Sequence, residues 1–432
     1  MKIKSNRFND LEVIRQYLLK NSKYLSDKYM SFATSNIENF YYQIPCLTKN
    51  EITDNLNFYL DKNFLSLFDG DITQFLLNVE DLSENHDKKI KDKFDCVWTI
   101  ETTSGSTGRP LPIIKSTIER LKESRYLFNC RKQHYKNANL NNGLLLIHKV
   151  NDCLKKIDYR EDDSQFQKVV DFMVESNPKW IFSSTRILNR FIDYIVYNNL
   201  QKSFSNLEIK FIETTSQKML EEEKKIVQNV FNCEIVSNYG CREVWNIAYE
   251  CSNHHLHIND ELLIVDVVDD DGNVILEDGR VGDIVITSLV HKTMPLIKYY
   301  IGDRGRIYRN PGLCKVDKPI LVLEEGREYE KIQGTDYYGT TIFRKVLRTL
   351  HFHYKIDDII NIRIIQDEDT MIVYLNKSKE HDVIFEKLLE TIFYEQINHR
   401  KTFDFIFKYY FPFNDANLLY KEKIFSSKET NI

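Results

Sequence analysis

Between residues 144 and 237, short apolar and β-branched runs alternate with longer helix-compatible stretches, and this alternation limits the fold more than any other feature. Residues 144–150 read as a strand, 163–175 and 186–198 as helices, and 209–212 as a short buried strand. A helix over 220–230 and a strand over 234–237 follow, so the expected fold class is α/β. From residue 262 the rhythm changes to paired strands, 262–268 and 281–289, with a turn at Asp271-Gly272. Residues 1–95 read as mostly helical, and 96–100 and 111–114 as two strands joined by a Gly/Ser/Thr-rich loop. Beyond Gly326-Arg327, strands at 359–365 and 371–375 and a helix at 383–397 suit a compact α+β domain. The expected organisation is therefore a large N-terminal domain, 1–325, and a small C-terminal domain, 326–432. The large one divides into helical (1–95), α/β (96–260) and β-rich (261–325) parts.

The bulk properties exclude several classes. A chain of 432 residues with a net charge of −5 carries no basic stripe or domain, which argues against nucleic acid as partner. No apolar run is long enough for a signal peptide or a bilayer span. Eight cysteines without a secretory signal suit reduced thiols, so the expected location is cytoplasmic. Oligomeric state is not legible.

The loop Thr102-Thr-Ser-Gly-Ser-Thr-Gly-Arg-Pro110 is the first chemical signal. Gly105 and Gly108 permit close approach of a ligand, and the hydroxyls and N–H groups of Thr103, Ser104, Ser106 and Thr107 can surround phosphate oxygens. The spacing is not that of a Walker loop, and the segment joins strands instead of opening a helix. The string resembles the phosphate-binding signature of the adenylate-forming (acyl-CoA synthetase) superfamily, and within it the phenylacetate–CoA ligase branch, which includes relatives from capsular polysaccharide gene clusters. Three further segments follow in the family's order. Asn238-Tyr-Gly-Cys-Arg-Glu243 is similar to the motif whose aromatic stacks on adenine and whose glutamate helps hold Mg²⁺. That implies adenine stacking by Tyr239, ATP or AMP binding by Asn238 and Gly240 beside it, and a metal-binding, catalytic role for Glu243. Arg242 stands where Thr or Ser is common, and can pair a phosphate or the substrate carboxylate or face solvent. Pro295-Leu-Ile-Lys-Tyr-Tyr-Ile-Gly-Asp303 resembles the segment whose aspartate holds the ribose hydroxyls, with Lys298, Tyr300 and Ile301 replacing Arg, Arg and Thr. Gly326-Arg327 resembles the hinge signature, Glu330 standing in for its aspartate.

The resemblance further implies a catalytic lysine in the C-terminal domain, for which Lys423 is the choice and Lys421 the neighbour. Upstream, residues 212–219 resemble the adenine-pocket segment, with backbone near Ser216 edging the base and Gln217 where Glu is usual. Some members of the branch also carry a metal set of Cys, His and a downstream Cys-x-Cys. Cys251, His257 and Cys314 match it as Zn²⁺ ligands, Val316 replaces the last cysteine, and His254 or His255 can complete four.

The implied activity is ATP-dependent activation of a carboxylic acid as acyl-adenylate, with pyrophosphate released. The acyl group then passes to CoA or to another thiol or amine. ATP, Mg²⁺ and CoA are the implied co-reactants, with Zn²⁺ as a further metal, and the partners are a small carboxylate and an acyl acceptor. An amide- or ester-forming ligase, another nucleotide-using enzyme such as a kinase, and a non-catalytic binding or scaffold relative remain the rival readings. Neither the acid nor the acceptor is legible; the 25 Tyr and 26 Phe are compatible with an aromatic acid without requiring one.

Overall fold

The computed structural model describes residues 5–73, 88–91, 97–103, 111–146, 165–309, 312, 314, 316–324, 331–354, 356, 361–376, 382–397, 401–409 and 425–427. Contacts divide the chain into two compact units. The first comprises the chain up to Thr103 with Leu111–Ile301 and Gly305–Val322; the second comprises Leu323–Ile432 with Gly302–Arg304. The division falls just ahead of the Gly326-Arg327 boundary read from the sequence.

The first unit opens with helices α1 (Ser5–Asn21), α2 (Lys23–Tyr29), α3 (Ile37–Gln43), α4 (Lys49–Asp54), α5 (Leu56–Tyr59) and α6 (Lys62–Leu65). Polar caps start several of them: Ser22, Asn36 and Asp61 accept backbone N–H groups, and Thr48 forms a reciprocal capping box with Glu51. Strands β1 (Lys88–Lys91), β2 (Val97–Thr102) and β3 (Pro112–Ser116) then make an antiparallel sheet in that order. β1 lies in the stretch expected to be helical; its Lys-rich sequence has no apolar alternation to betray it. Pairing of Thr102 with Pro112, and of Thr103 N with the Leu111 carbonyl at 3.0 Å, places β2 and β3 as the arms of a strand–loop–strand.

Helix α7 (Thr117–His134) follows, started by a Ser116/Glu119 capping box. Then come β4 (Gly143–Leu146), α8 (Gln165–Ser176), β5 (Trp180–Ser184), α9 (Thr185–Tyr197), β6 (Phe211–Thr215), α10 (Glu221–Phe231) and β7 (Glu234–Tyr239). Strands β4 to β7 are parallel neighbours in chain order. Their period-2 alternation serves two faces. Leu144, Leu146, Ile181, Ile212 and Ile235 pack with Phe166, Val169, Phe191 and Val227 of α8, α9 and α10. On the opposite face Trp180, Phe211 and Val236 pack under Tyr126, Leu127 and Cys130 of α7. Burial on both sides explains why these strands read as apolar runs.

The sheet continues antiparallel through β8 (Ala248–Glu250) and β9 (Leu256–Ile258). β10 (Leu263–Val268), β11 (Gly282–Ser288), β12 (Tyr299–Tyr308) and β13 (Ile320–Leu323) complete ten strands, ordered β10-β11-β12-β13-β9-β8-β7-β6-β5-β4. The turn at Asp271-Gly272 forms as read, with Asp269 accepting from Asp271 and Asn273 and Gly272 at φ +80°.

The second unit carries α11 (Gly339–Phe352), β14 (Asn361–Asp367), β15 (Thr370–Asn376), α12 (Val383–Gln396), β16 (Asp404–Lys408) and β17 (Phe425–Ser427). Its four strands run in the order β16-β15-β14-β17. Phe343, Val346 and Leu350 of α11 and Leu389, Ile392 and Phe393 of α12 close a core on Ile364, Met371, Val373 and Phe425. Among the described residues no helix is long and apolar enough to cross a membrane.

Candidate active site

In open α/β sheets, ligands gather at the carboxyl ends of parallel strands. Here β6 ends in Thr215-Ser216 and β7 in Tyr239-Gly240, two of the segments singled out from the sequence. Ser216 takes φ +76°, a left-handed conformation unusual for a residue with a Cβ, and it is exposed. The Gln217 carbonyl beside it accepts the Thr185 hydroxyl at 2.6 Å, which ties the strained turn to the start of α9. Such strain persists only where surrounding structure enforces it, and it concentrates at functional sites. Lys298 (φ +43°), inside the 295–303 motif, and Trp245 (φ +51°), two residues past the 238–243 motif, are strained likewise.

The loop after β7 is tight. A Cβ on Gly240 would lie 1.9 Å from the Trp245 carbonyl oxygen, so only glycine fits. The Ile247 N–H returns to the Tyr239 carbonyl at 2.8 Å and closes the loop. Within it Glu243 is buried, and one carboxylate oxygen accepts the Tyr299 hydroxyl at 3.1 Å. Burial and the nearby Glu243 carboxylate push both the Tyr299 hydroxyl and the Cys241 thiol well above their ordinary range, so both are neutral donors facing that carboxylate. Arg242 and Tyr239 are half-buried. Asp303 lies on β12, also half-buried.

Two motif residues have protein partners of their own. Asn238, expected among the nucleotide-binding residues, is buried, and its amide is committed on both sides: Nδ2 donates to Glu213 at 2.8 Å and Oδ1 accepts from Asn246 at 2.8 Å. Lys298, standing where the family has Arg, is buried and donates to the Ile44 carbonyl at 2.9 Å. There it props the α3–α4 segment, whose Leu47 pairs with Lys298 and Tyr300 backbone groups at 2.9 Å. Thr103 donates its hydroxyl to nothing among the described contacts but accepts the Leu111 N–H at 2.9 Å. Ser104, Gly105, Ser106, Thr107, Gly108, Arg327, Glu330, Lys421 and Lys423 lie outside the described residues.

The metal-ligand candidates converge. Donor atoms of Cys251, His255, His257 and Cys314 lie within 4.8 Å of one another. His257 Nδ1 faces the Lys318 carbonyl at 3.1 Å, which holds the proton on that nitrogen and turns the Nε2 lone pair toward Cys314 Sγ, 2.9 Å away. His255 Nδ1 is buried with no hydrogen-bond partner among the described residues. His254 points elsewhere, to Glu250 at 2.8 Å, so His255 is the fourth member.

A buried polar system escaped the sequence reading. Glu213 of β6 binds Arg131 of α7, and Lys115, Glu123 and His291 form a second buried group. The available signal was a lone carboxylate inside the apolar run of β6, which demands a partner of opposite charge.

No family model matches the chain. It is 22% identical over 388 residues to Protein CapK of Staphylococcus aureus, covering 83% of each chain. Among solved structures it is similar to a 2-hydroxyisobutyryl-CoA ligase in the postadenylation state with 2-HIB-AMP. That match has a TM-score of 0.66 and 11% identity, over 98% of this chain and 88% of the other. The same ligase with 2-HIB-AMP and CoA in the thioesterification state matches with a TM-score of 0.58 and 12% identity, over 98% and 89%. At these identities the likeness establishes the fold: a two-domain fold seen in adenylate-forming ligases, spanning nearly the whole chain.

Proposed function

From a chain with the fold of the adenylate-forming ligases, we propose an ATP-dependent acid ligase, phenylacetate–CoA ligase-like, that makes an acyl-adenylate and passes the acyl group to a thiol. The observation that carries this reading is the placement of Glu243. A buried carboxylate, oriented by Tyr299, stands on a strained loop at the carboxyl end of a parallel strand.

In this reading Thr103, Ser104, Gly105, Ser106, Thr107 and Gly108 hold the triphosphate, Ser216 and Tyr239 border the adenine, and Asp303 accepts the ribose hydroxyls. The substrate carboxylate oxygen attacks the α-phosphorus, the bond to the bridging oxygen breaks, and pyrophosphate leaves. No covalent enzyme intermediate is required, so positioning and charge stabilisation supply the rate. Glu243 fits Mg²⁺, which takes one or two carboxylates together with phosphate oxygens. When bound, Mg²⁺ neutralises charge on the departing pyrophosphate. Arg242, on the same loop, is assigned to a phosphate or to the substrate carboxylate. Lys423, with Lys421 beside it, is assigned to the carboxylate during adenylation, and Arg327 to the hinge. CoA is the acceptor named for the similar ligase and is the first choice here; an amine acceptor is the second.

The test is carboxylate-dependent exchange of labelled pyrophosphate into ATP over pools of aryl, short hydroxy, fatty and amino acids. Exchange with one pool, lost in Glu243→Ala by at least about a hundredfold, is expected. Formation of ADP in place of exchange would overturn the reading.

The Cys251, His255, His257 and Cys314 set suits Zn²⁺: two cysteine sulfurs and two imidazoles, with the Lys318 carbonyl already orienting the His257 ring. Four protein ligands leave no open position, so the metal would be structural, pinning the β8–β9 hairpin to the segment before β13. Metal analysis of purified protein should give one zinc per chain, absent from Cys251→Ser/Cys314→Ser. A zinc-free wild type that is equally stable would remove the metal from the account.

A further inference from the structure

Glu213 is fully buried and takes no part in the chemistry above. Its carboxylate collects four hydrogen bonds: Arg131 Nε at 2.6 Å and Nη2 at 3.1 Å, Asn238 Nδ2 at 2.8 Å, and the Tyr249 hydroxyl at 2.9 Å. Arg131 itself sits against aromatic rings, with its guanidinium 4.6 Å from the Trp180 ring centre and 4.9 Å from that of Phe128. A carboxylate removed from water needs a paired charge and satisfied oxygens, and Arg131 and Tyr249 already serve that need.

Asn238 adds something else. Its other amide atom receives Asn246 Nδ2, which also reaches the Ala248 carbonyl at 3.1 Å, while the Asn246 carbonyl receives Asn259 Nδ2 at 3.2 Å. Asn238 and Asn246 stand at the two ends of the segment 239–245, which carries Arg242 and Glu243. Thus a rigid side-chain bridge spans the mouth of the loop and is anchored at its base by a buried ion pair. A planar carboxylate gripped by a two-pronged guanidinium has one orientation, and that orientation dictates which way the Asn238 amide faces.

The geometry points to Arg131 and Glu213 as positioning residues: acting through Asn238 and Asn246, they set the conformation of the loop that presents Glu243. This rests on the role proposed above for Glu243. The arrangement separates two functions of the Glu213 site. Tyr249 lies opposite Asn238 in the β7–β8 pairing, but its hydroxyl reaches Glu213 and helps hold the buried charge, whereas the Asn238 amide also carries the side-chain contact to Asn246 across the loop.

Three full-length variants test the inference: Asn238→Ala, Tyr249→Phe and Glu213→Gln. Two readouts apply, amide hydrogen exchange across residues 240–247 without nucleotide, and pyrophosphate-exchange kinetics. Asn238→Ala should accelerate amide exchange in the loop and lower kcat, each by about tenfold or more, with KM for the acid unchanged. Tyr249→Phe should lower the melting temperature while loop protection and kcat stay within about twofold of wild type. Glu213→Gln should behave as Asn238→Ala; if it does not fold, the first pair carries the comparison. Unchanged loop protection in Asn238→Ala, or equal loosening of the loop by Tyr249→Phe, overturns the inference. Because hydrogen exchange needs no catalysis, a wild type silent in pyrophosphate exchange would refute the adenylation reading without touching the loop result.

Discussion

His134 ends α7 with both ring nitrogens facing acceptors, Nδ1 at 2.8 Å from Glu234 and Nε2 at 3.0 Å from the Glu250 carbonyl. Only the imidazolium can donate on both sides. Burial pulls this imidazole down, but the hydrogen bond and charge of Glu234 override burial and hold it above its ordinary value. The hydrogen bond from His134 in turn holds the Glu234 carboxyl below its usual range. The helix C-terminus favours a cation there as well. The other charged groups facing the pair are Glu250 and His254. A histidine raised by folding stabilises below its unfolded value and loses that contribution as pH rises through the folded one; a lowered glutamate does the reverse. The pair therefore contributes most between about pH 4.5 and 6.5 and fades above neutrality. The melting-temperature gap between wild type and His134→Gln should be widest near about pH 5.5 and should shrink by about pH 8.5. A gap that does not vary with pH would show that His134 acts by packing alone.

At the scale of elements, Gly143 shows how packing chooses a residue that propensity would avoid. Glycine weakens a strand, yet β4 begins with one. Gly143 pairs with Trp180 on β5, and a Cβ there would fall 2.2 Å from the indole ring. Trp180 in turn stacks on Phe211 of β6, with ring centres 6.1 Å apart and planes 8° from parallel. Gly143→Ala must displace a fully buried tryptophan and should cost about 1–3 kcal/mol, read by denaturant unfolding. Gly312, where a Cβ would meet open space but φ is +58°, is the contrasting site of backbone strain without crowding. Three of the four parallel strands were legible as short apolar and β-branched stretches, as at residues 209–212 and 234–237, but β5 was not, because Trp180-Ile-Phe182 is too short an apolar run between two helices to stand out. β1 was not, because Lys88-Lys-Ile-Lys91 is held by pairing with β2 rather than by a buried face of its own pattern. Glu243 and Ser216 stood out in the sequence as motif positions. The inward turn of Asn238, the use of Lys298 as a prop and the choice of His255 over His254 depend on contacts 25 to 254 positions away or on local turn geometry, which no spacing rule encodes.

The whole molecule has two units, each with its own sheet and its own closed core, and this makes a division of labour testable. The large unit carries Glu243 and Ser216, while Lys423 belongs to the small one. If adenylation needs a cation from the small unit, removing it should affect one half-reaction and spare the other. Lys423→Ala should lower carboxylate-dependent pyrophosphate exchange by at least about a hundredfold, since it removes a charge aligned with charge developing in the transition state. The same variant, supplied with preformed acyl-adenylate and CoA, should form thioester at close to the wild-type rate, because that step no longer involves the triphosphate. Lys421→Ala serves as the control, with exchange close to wild type. Should Lys421→Ala fail and Lys423→Ala survive, the two lysines exchange roles; equal loss of both half-reactions in Lys423→Ala would show that the small unit supports the site as a whole and supplies no charge specific to adenylation.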